Sequence, residues 1–180
     1  MSTKVVTGLV RFSYANVFEA KAIQEGATPK FSVSLIIPKS DKKTVAAIKK
    51  AIEEAKKAGI VKLGGKIPPN LKHPLRDGDE DRPDDEAYAN SYFINANSHQ
   101  RPQIVDEDTN PIMDQGEFYS GCYGRASVNF YAYNANNTSK GIAAGLNNVQ
   151  KLRDGDRLGG GSTASEDFGG LDSEEGDDLM

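Results

Sequence analysis

Cysteine occurs once and histidine twice among the 180 residues. A single cysteine leaves no partner for an intramolecular disulfide and excludes a zinc site built on two or more thiolates, and two histidines are too few for a His-rich metal centre. No apolar run approaches the roughly 18 residues of a membrane-spanning helix. The opening MSTKVVTGLV has no signal-peptide core, so the expectation is a cytoplasmic protein of a reducing compartment with no membrane partner. A phosphate-cradling loop is also missing: Gly59…Gly64-Gly65-Lys66 has the wrong spacing and is followed by Ile67 where Ser or Thr is required. Asp77, Asp79 and Asp81 imitate the opening of a calcium loop, but Arg82 stands where Gly is needed and Tyr88 where a bidentate Glu is needed. His73 and His99 belong to no nucleophile–base arrangement, and Cys122 reads as a small core residue. These absences point to a protein that binds rather than catalyses, with no metal and no cofactor.

What is present is an uneven distribution of charge. The net charge is −4, yet residues 1–76 carry 15 Lys/Arg against 5 Asp/Glu. The sign then reverses in DGDEDRPDDE (77–86), with 1 basic residue against 7 acids. Residues 87–158 are nearly balanced at 6 against 7, and 159–180 hold 7 acids and no base. A basic body with acidic blocks suggests nucleic-acid contact by the body and an interaction or self-masking role for the acidic end. A mixed, solubilising surface is the plainer alternative.

Periodicity supplies the elements. Lys4–Phe18 and Lys30–Lys39 are rich in β-branched and aromatic residues, the second alternating Phe31, Val33, Leu35 and Ile37 against serines, and both read as strands of an antiparallel pair. Beyond Pro38 the period becomes helical: Val45, Ile48, Ile52 and Ala55 share one stripe, Ser40 or Asp41 can cap, and Gly59 stops the run. Six lysines of that helix gather on one side, with Glu53 and Glu54 among them, as a solvated face or a phosphate-binding one. Residues 60–91 read as a long loop, a candidate flap or partner site. Strand signals return at Tyr92–Asn97, Pro102–Val105, Gly121–Tyr133 and Gly141–Leu152. The expected organisation is a folded domain over 1–158 followed by a disordered acidic tail, 159–180, whose composition buries too little to offset ordering entropy.

Gly121–Tyr133, GCYGRASVNFYAY, alternates strictly. Cys122, Gly124, Ala126, Val128, Phe130 and Ala132 form a small apolar face, and Tyr123, Arg125, Ser127, Asn129, Tyr131 and Tyr133 the other. Side chains two residues apart on a strand repeat at about 6.6 Å. Aromatics at that interval with a cation between them suit single-stranded nucleic acid, because every base has a π-face and the guanidinium meets phosphate or ring. Tyrosines covering a sheet with their hydroxyls wet are the alternative reading.

The strings RFSYANVF, HPLRDGDEDRP, FYSGCYGRASVNFYAYN and GLNNVQKLRDGDRLGGG, in this order and over nearly the whole chain, resemble a family of phage and prophage single-stranded DNA-binding proteins. The resemblance implies a mainly β fold, an OB-fold five-stranded Greek-key barrel, with Lys42–Ala58 as a helix inserted between barrel strands. It implies sequence-independent binding of single-stranded DNA in phage replication or recombination. It also implies an acidic tail that recruits replication or recombination proteins, for which Asp172, Glu174, Glu175, Asp177, Asp178 and Leu179 are the candidate contacts. The nucleic-acid-binding candidates are Tyr123, Arg125, Tyr131 and Tyr133, with Arg11, Tyr14 and Phe93 on neighbouring strands. Two other classes stay open at this point: an acidic DNA mimic or interaction protein that binds no DNA, and a metal-dependent nuclease using Asp77, Asp79, Asp81 and Asp84. RNA binding is also open, since no residue is assigned to the 2′-hydroxyl. An unpaired edge strand would offer pairing with a second copy as a homo-oligomer.

Overall fold

The computed structural model describes residues 3–22 and 26–158. The expected tail and its partner-binding candidates lie outside these residues. In chain order the elements are β1 (Lys4–Val6), β2 (Val10–Lys21), β3 (Lys30–Pro38), α1 (Lys42–Ala58), β4 (Arg76–Asp77), α2 (Gly78–Asp81), a 3-10 turn (Glu86–Tyr88), β5 (Ser91–Ser98), β6 (Gln103–Val105), β7 (Tyr123–Ala135) and β8 (Ser139–Arg153). No helix among them is long and apolar enough to cross a membrane.

Five strands close into a ring. β2 pairs antiparallel with β3, and β3 with β5, at Arg11↔Ile36 and Ile36↔Phe93. β5 pairs parallel with β8 at Ala96↔Ala144, β8 antiparallel with β7 along its whole length, and β7 returns to β2 at Gly124↔Val10. This connectivity is the OB-fold barrel that the resemblance implies, with α1 inserted between its second and third strands. β1, β4 and β6 extend the ring as short flanking strands on β7, β5 and β8.

The barrel closes because one side of each strand is apolar. Phe12, Leu35, Ile37, Ile94, Ala96, Val128, Phe130, Ile142, Ala144 and Leu146 point inward and are buried. α1 plugs the barrel with Val45, Ile48, Ala51, Ile52 and Ala55, all buried. At about 1.5–3 kcal/mol for each large side chain, this stripe outweighs the cost of ordering the helix. Asp41 caps α1, its carboxylate accepting from the Thr44 amide at 3.1 Å. Gly59 ends the helix as its C-cap, and only glycine fits there because a Cβ would sit 2.3 Å from the Ala132 side chain of β7.

Two expectations change. Lys4–Phe18 is not one strand, since the chain turns at Thr7, whose hydroxyl accepts from the Ala126 amide, and at Gly8, whose amide donates to Thr44 Oγ1. The second concerns the long loop, of which residues 76–88 fold onto the barrel as β4, α2 and the 3-10 turn. The carboxylates of the acidic block act locally. Asp77 caps α2, Asp85 caps the 3-10 turn, and Asp79 accepts from the Asn90 amide at 3.0 Å.

Candidate nucleic-acid interface

Period two places the odd residues of β7 outward. Tyr123, Ser127, Asn129 and Tyr133 are half-buried and Arg125 and Tyr131 exposed, whereas Gly124, Ala126, Val128, Phe130 and Ala132 are buried. β8 supplies the neighbouring column: Tyr131 pairs with Ala143 and Tyr133 with Gly141. Small residues are needed there because the tyrosines lie across them. A Cβ on Gly145 would touch the Tyr131 ring at 3.5 Å, and one on Gly141 would fall 2.7 Å from the Tyr133 hydroxyl. Tyr131, 41% exposed, therefore has one side on β8 and the other toward solvent. Arg125 donates from Nε to the Thr7 carbonyl at 3.0 Å and has no carboxylate partner among the described residues.

Tyr123 and Arg11 are engaged with each other and with the chain beyond β8. The Arg11 guanidinium stands 5.2 Å and that of Arg153 5.0 Å from the Tyr123 ring centroid. Arg11 also donates to the Gly121 and Asp156 carbonyls, at 3.1 and 2.7 Å. Gly155 lies against the same ring, where a Cβ would come within 2.6 Å of it. Together they clasp the chain as it leaves β8. Arg153 was not foreseen, because its meeting with Tyr123 depends on the β7–β8 register.

Tyr14 projects from a register break in β2, at φ 48° and 57% exposed. A bulky residue at positive φ is an outlier, costing on the order of 1–3 kcal/mol, and such strain clusters at functional sites. Arg82 stands 5.5 Å from the Tyr14 ring, and 5.1 Å from each of the rings of Tyr88 and Phe93. Sequence reading passed over Arg82, whose one signal was that it is the lone cation of an acidic block. Phe93 presents no stacking face: it is 3% exposed, beneath Tyr88 packed edge-on at 5.1 Å. It points outward from β5 as alternation requires, but residues 77–88 lie over it. We call this segment the strap.

The strap is held by charge as well as packing. Lys39 Nζ reaches Asp77 at 2.8 Å and Asp79 at 2.9 Å, and Arg76 reaches Asp81 at 2.6 Å. Hydrogen bonds to Asp77 and Asp79 raise the Lys39 ammonium well above the ordinary lysine range, and Lys39 in turn holds both carboxylates below theirs. The fully buried Tyr88 donates its hydroxyl to Ser34 at 3.0 Å. Three of the proposed nuclease carboxylates are thus engaged with cations of the chain itself. Cys122 is buried and burial pushes its thiol pKa up, as for a core residue.

A model of the family described as Enterobacter phage Enc34, ssDNA-binding protein, matches residues 3–180. A protein designated p50 from Acyrthosiphon pisum secondary endosymbiont phage 1 is 36% identical over 185 residues, covering 98% of each chain. Among solved structures, the single-stranded DNA-binding protein of bacteriophage Enc34 in complex with ssDNA is similar at a TM-score of 0.78 and 26% identity, covering 87% of this chain and 90% of that one. The single-stranded DNA-binding protein encoded by bacteriophage T7, at a TM-score of 0.60 and 16% identity over 93% and 94% of the two chains, shares the fold.

Proposed function

The chain belongs to the phage single-stranded DNA-binding protein family of Enc34, and from that premise we propose how it acts. It binds single-stranded DNA in phage replication or recombination, without regard to sequence, and catalyses no reaction. The observation that carries this reading is the likeness over most of the chain to a relative solved with single-stranded DNA. The strand runs along the outward face of β7. Tyr131 stacks a base on its solvent side with Tyr133 beside it, Arg125 meets phosphate about 20 Å farther along the strand, and Tyr14 adds a second stacking position at the β2 break. Arg11 and Tyr123 hold the end of β8 in place beside this track, and Phe93 stays under the strap. The residues from Phe118 to Arg153 include no Asp or Glu, so nothing in that stretch of sequence repels phosphate.

The residues 159–180 carry 7 acids and no base and, in this reading, contact replication or recombination proteins in the host cytoplasm. When DNA is absent they compete for the same basic surface.

Fluorescence anisotropy of a labelled oligothymidine, against duplex DNA of equal length, tests the reading as sodium chloride rises from about 50 to 200 mM. The expected result is tight, salt-sensitive binding that prefers the single strand. Equal weak binding to both would sink it.

A further inference from the structure

The fold brings together the two longest acid-free stretches of this chain. One is Phe118–Arg153, which holds β7 and β8. The other is 55–76, with Lys56, Lys57, Lys62, Lys66, Lys72 and Arg76 and no Asp or Glu. They are far apart in sequence but share one end of the barrel. The Lys72 amide donates to the Lys140 carbonyl, and the Ile142 amide donates to the Lys72 carbonyl, both at 3.0 Å, so residue 72 docks on the edge of β8. Asn134 Nδ2 donates to the Lys62 carbonyl at 3.1 Å, and Lys140 Nζ to the Leu63 carbonyl at 3.1 Å, which ties 60–66 to the β7–β8 hairpin. Lys62, Lys66 and Lys72 are exposed, and neither they nor Lys140 has an ion-pair partner among the described residues.

This cluster adjoins the tyrosine row. The point where a Cβ on Gly141 would sit is 2.7 Å from the Tyr133 hydroxyl and 2.8 Å from the Lys72 Cβ, so the last outward tyrosine of β7 meets the base of the Lys72 side chain. From Tyr131 through Tyr133 to Lys72 the surface is continuous, and it changes from rings to ammonium groups.

We infer that Lys62, Lys66 and Lys72, on the frame that Lys140 holds, form a phosphate-binding subsite that extends the DNA track beyond the tyrosines. The inference rests on the track proposed above. It assigns binding to residues 60–72, read from sequence as a loop of unspecified role, and it withholds binding from the more numerous lysines of α1. On α1, Lys56 is paired with Glu53 at 3.1 Å, and Lys49 stands 5.7 Å from the Tyr92 ring. The occupant is the backbone of single-stranded DNA, because the cluster follows a row of rings spaced for unpaired bases.

The test compares two variants of the full chain with the same charge change. One is K62Q/K66Q/K72Q, which spares Lys140 because its ammonium ties down 60–66. The other is K42Q/K43Q/K50Q on the exposed side of α1, outside the 55–76 stretch. For each, the slope of log affinity against log salt is measured with an oligothymidine of about 20 nucleotides. Each lost phosphate contact removes about 0.7 from the slope on a single strand, so the loop variant should fall by about 2 and the helix variant should match the wild type. Equal losses in both would reduce the cluster to part of a general field and overturn the inference, as would an unchanged slope in the loop variant. Unaltered melting temperatures keep misfolding out of the comparison. Wild-type protein that fails to bind oligothymidine with salt sensitivity would instead overturn the underlying function, a separate outcome.

Discussion

Phe93 and Tyr131 occupy equivalent places on two sectors of one barrel. Both project outward from a ring strand, and both are large and aromatic. Phe93 is 3% exposed and Tyr131 41%. The difference comes from a distant segment: the strap covers the β3–β5 sector through Tyr88, Arg82 and the Lys39 ion pairs, and among the described residues no comparable segment crosses the outward face of β7. Strand periodicity therefore reports the direction of a side chain and not its access to solvent. Charge divides the same way, for the covered sector carries the acidic block on its outside and the open one adjoins lysines without an ion-pair partner among the described residues. A polyanion meeting this surface is directed to one side of the barrel.

The largest effect should come from breaking the covered sector. Tyr88→Ala removes a fully buried ring and leaves a cavity over Phe93 and Ile36, which should cost about 3–5 kcal/mol of stability. Denaturant melts measure it, and the affinity of the folded protein for oligothymidine should not change. On the open sector the roles reverse: Tyr131→Ala should cost about 1–3 kcal/mol of binding through the lost stack, while stability shifts by less than about 0.5 kcal/mol. If both variants lose stability and neither loses affinity, the two sectors do not differ in function. A smaller change is expected for Arg125→Gln, a reduction of about 0.7 in the salt slope with little effect on melting.

The smallest effect concerns pH. Asp77 and Asp79 have folded-state values below the ordinary 3.8, chiefly through hydrogen bonds to Lys39. Their contribution to seating the strap is therefore complete above that value and is lost as pH falls through the lowered ones. The NMR protection factors of the amides across 76–90, which are the intrinsic exchange rate at each pH divided by the observed one, should stay constant from about pH 8 to 5 and fall only below the ordinary carboxylate range. Loosening near neutral pH would show that these ion pairs are not what holds the strap.

How much was legible follows from the range of each interaction. α1 was readable to the residue because its stripe, its Asp41 cap and its Gly59 stop lie within one stretch of chain. The two faces of β7 were readable for the same reason, as was the inward place of Cys122. The barrel came from family resemblance, since no local pattern announces that β8 will pair with β5. What escaped was set by long-range meetings: Arg82 with three rings drawn from β2, β5 and the 3-10 turn, and Arg153 with Tyr123. Lys72 meeting Gly141 is a third case. Phe93 was placed in the interface because its strand could be read and its cover could not. The break at Thr7 escaped because a threonine in a β-branched run looks like more strand until its hydroxyl is seen to take the Ala126 amide.

The parallel contact between β5 and β8 has a consequence for the birth of the molecule. β8 is the last strand of the ring to be synthesised, and it alone joins β7 to β5. A nascent chain can form the β2–β3–β5 meander with α1 already complete, and then add β7 to β2, but the ring stays open beside β5 until Ser139–Arg153 emerges. The closed ring joins Ala96 to Ala144 and, on its other seam, Val10 to Gly124, long-range pairings of the kind that raise contact order and slow folding. Until that moment the backbone edge of β5 has no partner from β8, and ribosome-bound chains halted before residue 139 should be the form most prone to aggregate.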